Sequence, residues 1–228
     1  MSWLLDQLRA KASQGDLAGV WSLVSRTATD SFYEWRLGVS TARARGTTEL
    51  GFSNTEFHCY EATDYQTLKA IMRRVRVRAG EDVFLDFGAG KGRALVVAAM
   101  RPFKRVIGVE ISRELAALAT ANLERARRHL VCRDVQVICA DATTVQIPDD
   151  TTVIFLFNPF HGDVLVQVLL NVRASVGRRP RHLRFVLVNP RHVDEAVRSA
   201  MQGWLNPSEE FTAPGGEFRT VLYETTHP

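Results

Sequence analysis

Cysteine is scarce in this chain of 228 residues: Cys59, Cys132 and Cys139 are all there is, with no C-x-x-C pair among them. Neither a disulfide framework nor a zinc site is suggested, which fits a reducing, cytoplasmic setting. Long apolar runs are missing too. None approaches the roughly 20 residues of a membrane span, and no signal-peptide pattern opens the chain. Lysine is nearly absent, 4 residues against 25 arginines. So strong a skew looks like genome-wide codon bias, and it weakens any reading of arginine clusters as a nucleic-acid surface. Three clusters, at residues 73–78, 125–129 and 178–182, are expected at helix ends, where cations suit the helix dipole. No aromatics interleave with them to make a base-stacking platform. What remains is a mildly basic chain, net charge +4, with ordinary apolar content and enough length for a full α/β core.

The most informative stretch is Val83-Phe84-Leu85-Asp86-Phe87-Gly88-Ala89-Gly90-Lys91-Gly92-Arg93. An apolar run ends in an acid, three alternate glycines follow, and then comes a helix-like run from Ala94 to Ala99. The order reads as strand, tight loop, helix. Glycine is required where the backbone takes positive φ or where a ligand approaches bare main chain. The loop therefore suits a polar or anionic small molecule at a helix start. A dinucleotide fingerprint needs a third glycine where Arg93 stands, which counts against a nicotinamide oxidoreductase. A P-loop fails twice, at Leu85 and at Gly92.

Two further strands end in acids. Arg105 to Ile111 carries Glu110, at the distance from the glycine loop where βαβ sites place the carboxylate that holds ribose hydroxyls. Within it, Gly108 lets backbone pass close by, and Ser112 caps the next helix. Val135 to Ala142 carries Asp141. Acids at the ends of three successive strands point to one ligand across the carboxyl edge of an open sheet. A fourth strand, Thr152 to Phe157, runs into Asn158-Pro159-Phe160. The Asn amide and a Pro-fixed carbonyl can accept hydrogen bonds from a target N–H, and an aromatic ring can hold a cationic methyl donor.

Asp-x-Gly-x-Gly-x-Gly after a strand resembles motif I of the class I S-adenosylmethionine (SAM) dependent methyltransferases, and Asn-Pro-Phe resembles their motif IV, usually with two prolines, in enzymes acting on amino groups. The resemblance covers roughly residues 65 to 225. It implies a Rossmann-like α/β sheet with helices on both faces, a C-terminal antiparallel hairpin and SAM as cofactor. It places Asp86, Gly88, Gly90, Gly92, Glu110, Asp141, Ala142 and Asn158 around the cofactor, with Asp141 toward the adenine amino group. It makes Asn158, Pro159 and Phe160 the catalytic set, without a metal. Tyr60-Glu61-Ala62-Thr63 ahead of a helix is similar to the Dot1-type protein lysine methyltransferases and adds Tyr60 and Thr63 to the cofactor shell. His58, His161 and His192 are candidate bases.

The chain divides into a helical N-terminal extension and lid, 1–62, and a SAM-binding domain, 63–228. Residues 2–12 and 16–26 read as helices, the second with Leu17, Val20, Trp21 and Val24 as a packing stripe; Asp30 to Glu49 reads as irregular. Later helices fall at 66–76, 112–129, 162–176 and 194–201, a fifth strand at 183–188 and a closing strand pair at 209–212 and 217–225. The expected activity is SAM-dependent methyl transfer to a nitrogen, with a protein side chain as one acceptor. Small-molecule O-methylation, and a SAM- or nucleic-acid-binding module without catalysis, stay open. The acceptor and the oligomeric state are unknown, a protein or small molecule is favoured over nucleic acid, and no membrane association is expected.

Overall fold

The computed structural model describes residues 2–42, 62–157, 160–190, 193–212 and 218–226. Two helices, α1 (Ser2–Ser13) and α2 (Leu17–Leu37), precede α3 (Tyr65–Arg74). An alternating series follows: β1 (Val83–Phe87), α4 (Arg93–Ala99), β2 (Arg105–Glu110), α5 (Arg113–Ala126) with a short 3-10 turn Arg127–His129, and β3 (Val135–Cys139). Then come β4 (Val153–Phe157), α6 (Gly162–Arg178), β5 (Arg184–Val188), α7 (Glu195–Met201), β6 (Leu205–Thr212) and β7 (Arg219–Thr225).

The strands form one seven-stranded sheet in the order β3-β2-β1-β4-β5-β7-β6. From β3 to β5 all neighbours run parallel, and β7 runs antiparallel to both β5 and β6. This is the expected Rossmann-like sheet with its reversed terminal hairpin. β1 and β5 are buried at every position, as strands covered on both faces must be. Alternate side chains feed the two layers. Phe84 joins Ile71, Leu95 and Leu123 beneath α3, α4 and α5, while Leu85 and Phe87 join Leu165, Leu169 and Val197 beneath α6 and α7. Gly108 serves this packing: a Cβ there would meet Leu95 Cδ1 at 2.5 Å and Ala89 Cβ at 2.9 Å, so it admits α4 and the glycine loop onto β2.

The chain steps outward from β1 to β3 and then returns to lay β4 on the other side of β1. The carboxyl ends of β1 and β4 thus flank the switch point where open α/β sheets bind ligands.

Two boundaries differ from the sequence reading. α2 continues through Asp30 to Leu37 and stops at Gly38, φ 70°. The polar residues that read as a loop are consumed by a partner far along the chain, Arg93, so tertiary contact overrides local composition. β6 begins at Leu205 with an irregularity between Pro207 and Glu209; proline is tolerated because the strand lies at the sheet edge. The turn Pro214-Gly215-Gly216 lies outside the described residues. No helix among the described residues is long and apolar enough to cross a membrane.

Candidate active site

The loop after β1 is held by its neighbour strand. Gly88 N and Ala89 N both donate to Val109 O, at 2.9 and 3.0 Å, and Gly92 N donates to Ala89 O at 2.8 Å. Gly88, Gly90 and Gly92 have φ of 77°, 54° and 81°, the left-handed region that side chains strain to adopt. Gly92 has a second reason to be glycine. A Cβ there would lie 3.1 Å from Ala119 Cβ, so it also lets the loop lean on α5.

Glu110 reaches from the end of β2 into this loop. Its Oε2 accepts from Gly90 N at 2.8 Å and its Oε1 from Ser112 N at 2.9 Å. Burial raises its pKa above the ordinary carboxylate value, against the pull of those N–H groups. Asp86 lies deeper, between Gly108 of β2 and Phe155 of β4. Burial first, and then the charge of Glu110, push its carboxyl well up. Asp141 follows β3; its Oδ1 accepts from Thr143 N and Thr143 Oγ1, both at 2.8 Å, and Ala142 beside it is buried. Ala140 N donates to Glu110 O at 3.0 Å, which binds the ends of β2 and β3 together.

Phe160 is buried in the apolar layer shared with Leu165 and Leu169, so its ring packs on the α6 side of the sheet. His161 occupies the N-cap position of α6. Tyr60, Asn158 and Pro159, with His58 and His192, lie outside the described residues. Asn189, at the end of β5, adopts φ 55° and donates its N–H to Arg219 O at 2.7 Å, so it fixes the sheet end next to Phe157.

The sequence reading missed Arg93, which it treated only as a departure from a dinucleotide motif. Arg93 is buried, 3% exposed, at the first position of α4. Its guanidinium donates to Thr41 Oγ1 (2.6 Å), Asp30 Oδ2 (2.6 Å), Glu34 Oε1 (3.1 Å) and Thr63 O (3.2 Å), and it sits 4.7 Å over the Tyr65 ring. Burial raises the Asp30 pKa despite Arg93, and takes Tyr65 up to about 12. Asn122 makes a second tie, accepting from Ser40 N at 3.1 Å and donating to Lys91 O at 3.0 Å. Thr63 thus meets the first residue of α4 through its carbonyl, while Asp64 caps α3 through Thr67 N. A cation beside a helix start, against the dipole, was the available signal: it needs acids from elsewhere.

Residues 84–176 match the family described as Methyltransferase domain. No curated protein matches the chain. Among solved structures, an RNA methyltransferase from Salinibacter ruber in complex with S-adenosyl-L-homocysteine is 19% identical, with a TM-score of 0.51 over 72% of this chain and 92% of that one. A geranyl diphosphate C-methyltransferase from Streptomyces coelicolor A3(2) is 17% identical, TM-score 0.53, over 71% and 77%. A ribosomal protein L11 methylase from Lactobacillus delbrueckii subsp. bulgaricus is 14% identical, TM-score 0.52, over 71% and 78%. The family match falls on the β1 to α6 part of a sheet whose strand order is the one expected of class I, SAM-dependent methyltransferases.

Proposed function

We propose that the chain transfers a methyl group from SAM to a nitrogen acceptor, with a protein side chain as the favoured substrate. The observation that carries the cofactor assignment is Glu110. A carboxylate offers about four acceptor positions. Gly90 N and Ser112 N use one on each oxygen, and the remaining positions suit the paired hydroxyls of a ribose. Asp86, buried beside Glu110, suits a ligand that brings positive charge. Asp141 and Ala142 close the same edge at β3 and fit the adenine end.

When bound, SAM supplies an electrophilic methyl group on a sulfonium. The residues of this chain supply position and dryness. In the proposal Gly88, Gly90 and Gly92 give the cofactor bare backbone, and Thr63 belongs to its shell through the turn that Arg93 fixes. Tyr60 joins Thr63 in the proposed cofactor shell. Asn158 and Pro159 come directly after β4 in the sequence, and in the proposal they accept hydrogen bonds from the target N–H. Phe160, whose ring is buried, completes the Asn158-Pro159-Phe160 set in the proposal. A neutral amine needs little acid–base help, so alignment supplies most of the acceleration.

Asn158→Ala tests this division. SAM affinity stays within about two-fold, while turnover falls roughly 10²-fold or more, as expected for an interaction made mainly in the transition state. Equal loss of binding and turnover would move Asn158 into the cofactor shell, and full activity would remove the reason for a nitrogen target.

A further inference from the structure

α2 is built inside out. A surface helix normally buries an apolar stripe and shows polar residues to water. Here the inward face carries Asp30 and Glu34 on Arg93, and Ser25 and Thr29, whose hydroxyls accept from Gln66 Nε2 at 3.0 and 2.8 Å. Only Leu23 and Leu37 of this helix are buried. The outward face carries Leu17, Trp21 and Val24 of the stripe that the sequence suggested was packing, and it continues to Trp35: Leu17, Trp21 and Trp35 are 75%, 74% and 79% exposed, and Val24 and Phe32 are exposed beside them.

The outward positions are 17, 21, 24, 28, 31 and 35, all exposed and none charged. Steps alternating between four and three are the spacing of a helix-pairing seam. The seam also complements itself. Antiparallel pairing about its midpoint sets Leu17 against Trp35, Trp21 against Ser31 and Val24 against Ala28, each layer one larger residue with one smaller. Parallel pairing would stack tryptophan on tryptophan and leave Ala28 facing Ala28. Large-against-small layers are what fills an interface without voids.

We propose that two copies of this chain pair through the outer faces of α2, antiparallel about a two-fold axis. The area is sufficient. Aromatic side chains bury about 150–250 Å² each, and scaling the exposed ones by their exposure, with Leu17 and Val24, gives on the order of 1,300 Å² over both copies. Stable interfaces bury about 1,200–2,000 Å². Because the inner face of α2 is tied to Arg93, next to the glycine loop, the pairing element is continuous with the catalytic domain.

Sedimentation equilibrium of the full chain tests the proposal. The wild type sediments at twice the chain mass at micromolar concentration. Trp21→Glu combined with Trp35→Glu gives a monomer. Ala28→Arg places a charge at the centre of the seam on an exposed, helix-compatible position, so the fold is kept; it weakens the dimer by roughly 30-fold or more, the scale of an interface hot spot. A wild type that stays monomeric to about 100 µM overturns the proposal, including one that is monomeric yet binds lipid vesicles. So does a folded Ala28→Arg protein that dimerises as tightly as the wild type.

Discussion

Glu110→Gln keeps the size of the side chain and removes its charge, and it separates cofactor binding from folding. In the folded chain the carboxylate accepts one hydrogen bond on each oxygen, from Gly90 N and Ser112 N. Glutamine has one acceptor oxygen, so one N–H loses its partner at a cost of about 1–3 kcal/mol. Burial works the other way, because a carboxylate whose pKa is raised by burial is itself destabilising when charged. The net loss of stability is therefore about 1 kcal/mol, roughly 2–4 °C in Tm for a chain of this size. On the cofactor side, two charge-assisted hydrogen bonds of about 1.5–3 kcal/mol become neutral ones of about 0.5–1.5 kcal/mol. The loss of about 2–3 kcal/mol weakens SAM binding roughly 30- to 150-fold. Titration calorimetry at neutral pH, with thermal unfolding on the same preparations, reads both. The gap between wild type and variant narrows as pH falls and Glu110 gains its proton. A folded Glu110→Gln protein with unchanged SAM affinity would refute the ribose assignment.

Gly90→Val forces a β-branched residue into φ 54°, and it should abolish SAM binding by calorimetry; a folded variant that binds normally would move the cofactor off this loop. Asp86→Asn removes a buried acid whose folded pKa lies above its ordinary 3.8. Between those two values the folded chain holds a proton that the unfolded chain has lost, so wild-type stability falls as pH rises across the window. The asparagine variant should show a flatter Tm-against-pH curve and weaker SAM binding; an unchanged curve would mean that Asp86 is not buried as a strained carboxyl. Arg93→Met leaves Asp30 and Glu34 without their cation and should cost about 3–5 kcal/mol at neutral pH, less at acid pH, where Asp30, its pKa raised by burial, takes up a proton. Equal destabilisation at both pH values would show that packing, not charge, docks α2.

The sheet was legible because its signals are local. β1, β2 and β4 are short apolar runs with glycine, acid or proline at their ends, and the helix after β2 is announced by Ser112, which accepts from Leu115 N. The acids at 86, 110 and 141 fall at strand ends for the same reason: Asp86 is next to last in β1, Glu110 is last in β2, and Asp141 stands two residues beyond β3. The Arg93 cluster was not, since its members stand at 30, 34, 41, 63 and 93 and are joined only by folding. The end of α2 was lost with it, because Asp30 and Glu34 look like solvent-facing residues until their partner is known. The stripe at Leu17, Trp21 and Val24 was read correctly as helical and wrongly as buried: periodicity reports that a face exists, not which side of the helix meets the core.

The central claim is methyl transfer from SAM by this chain, and labelled SAM tests it most directly. The purified full chain is incubated with methyl-labelled SAM and cell lysate fractionated into protein, nucleic acid and small molecules, beside Gly90→Val as the cofactor-blind control. The account predicts label in the protein fraction, recovered as an N-methylated amino acid after hydrolysis, and none with the control. Label confined to nucleic acid or small molecules would contradict the favoured acceptor, and no transfer to any fraction by a chain that binds SAM would contradict catalysis itself.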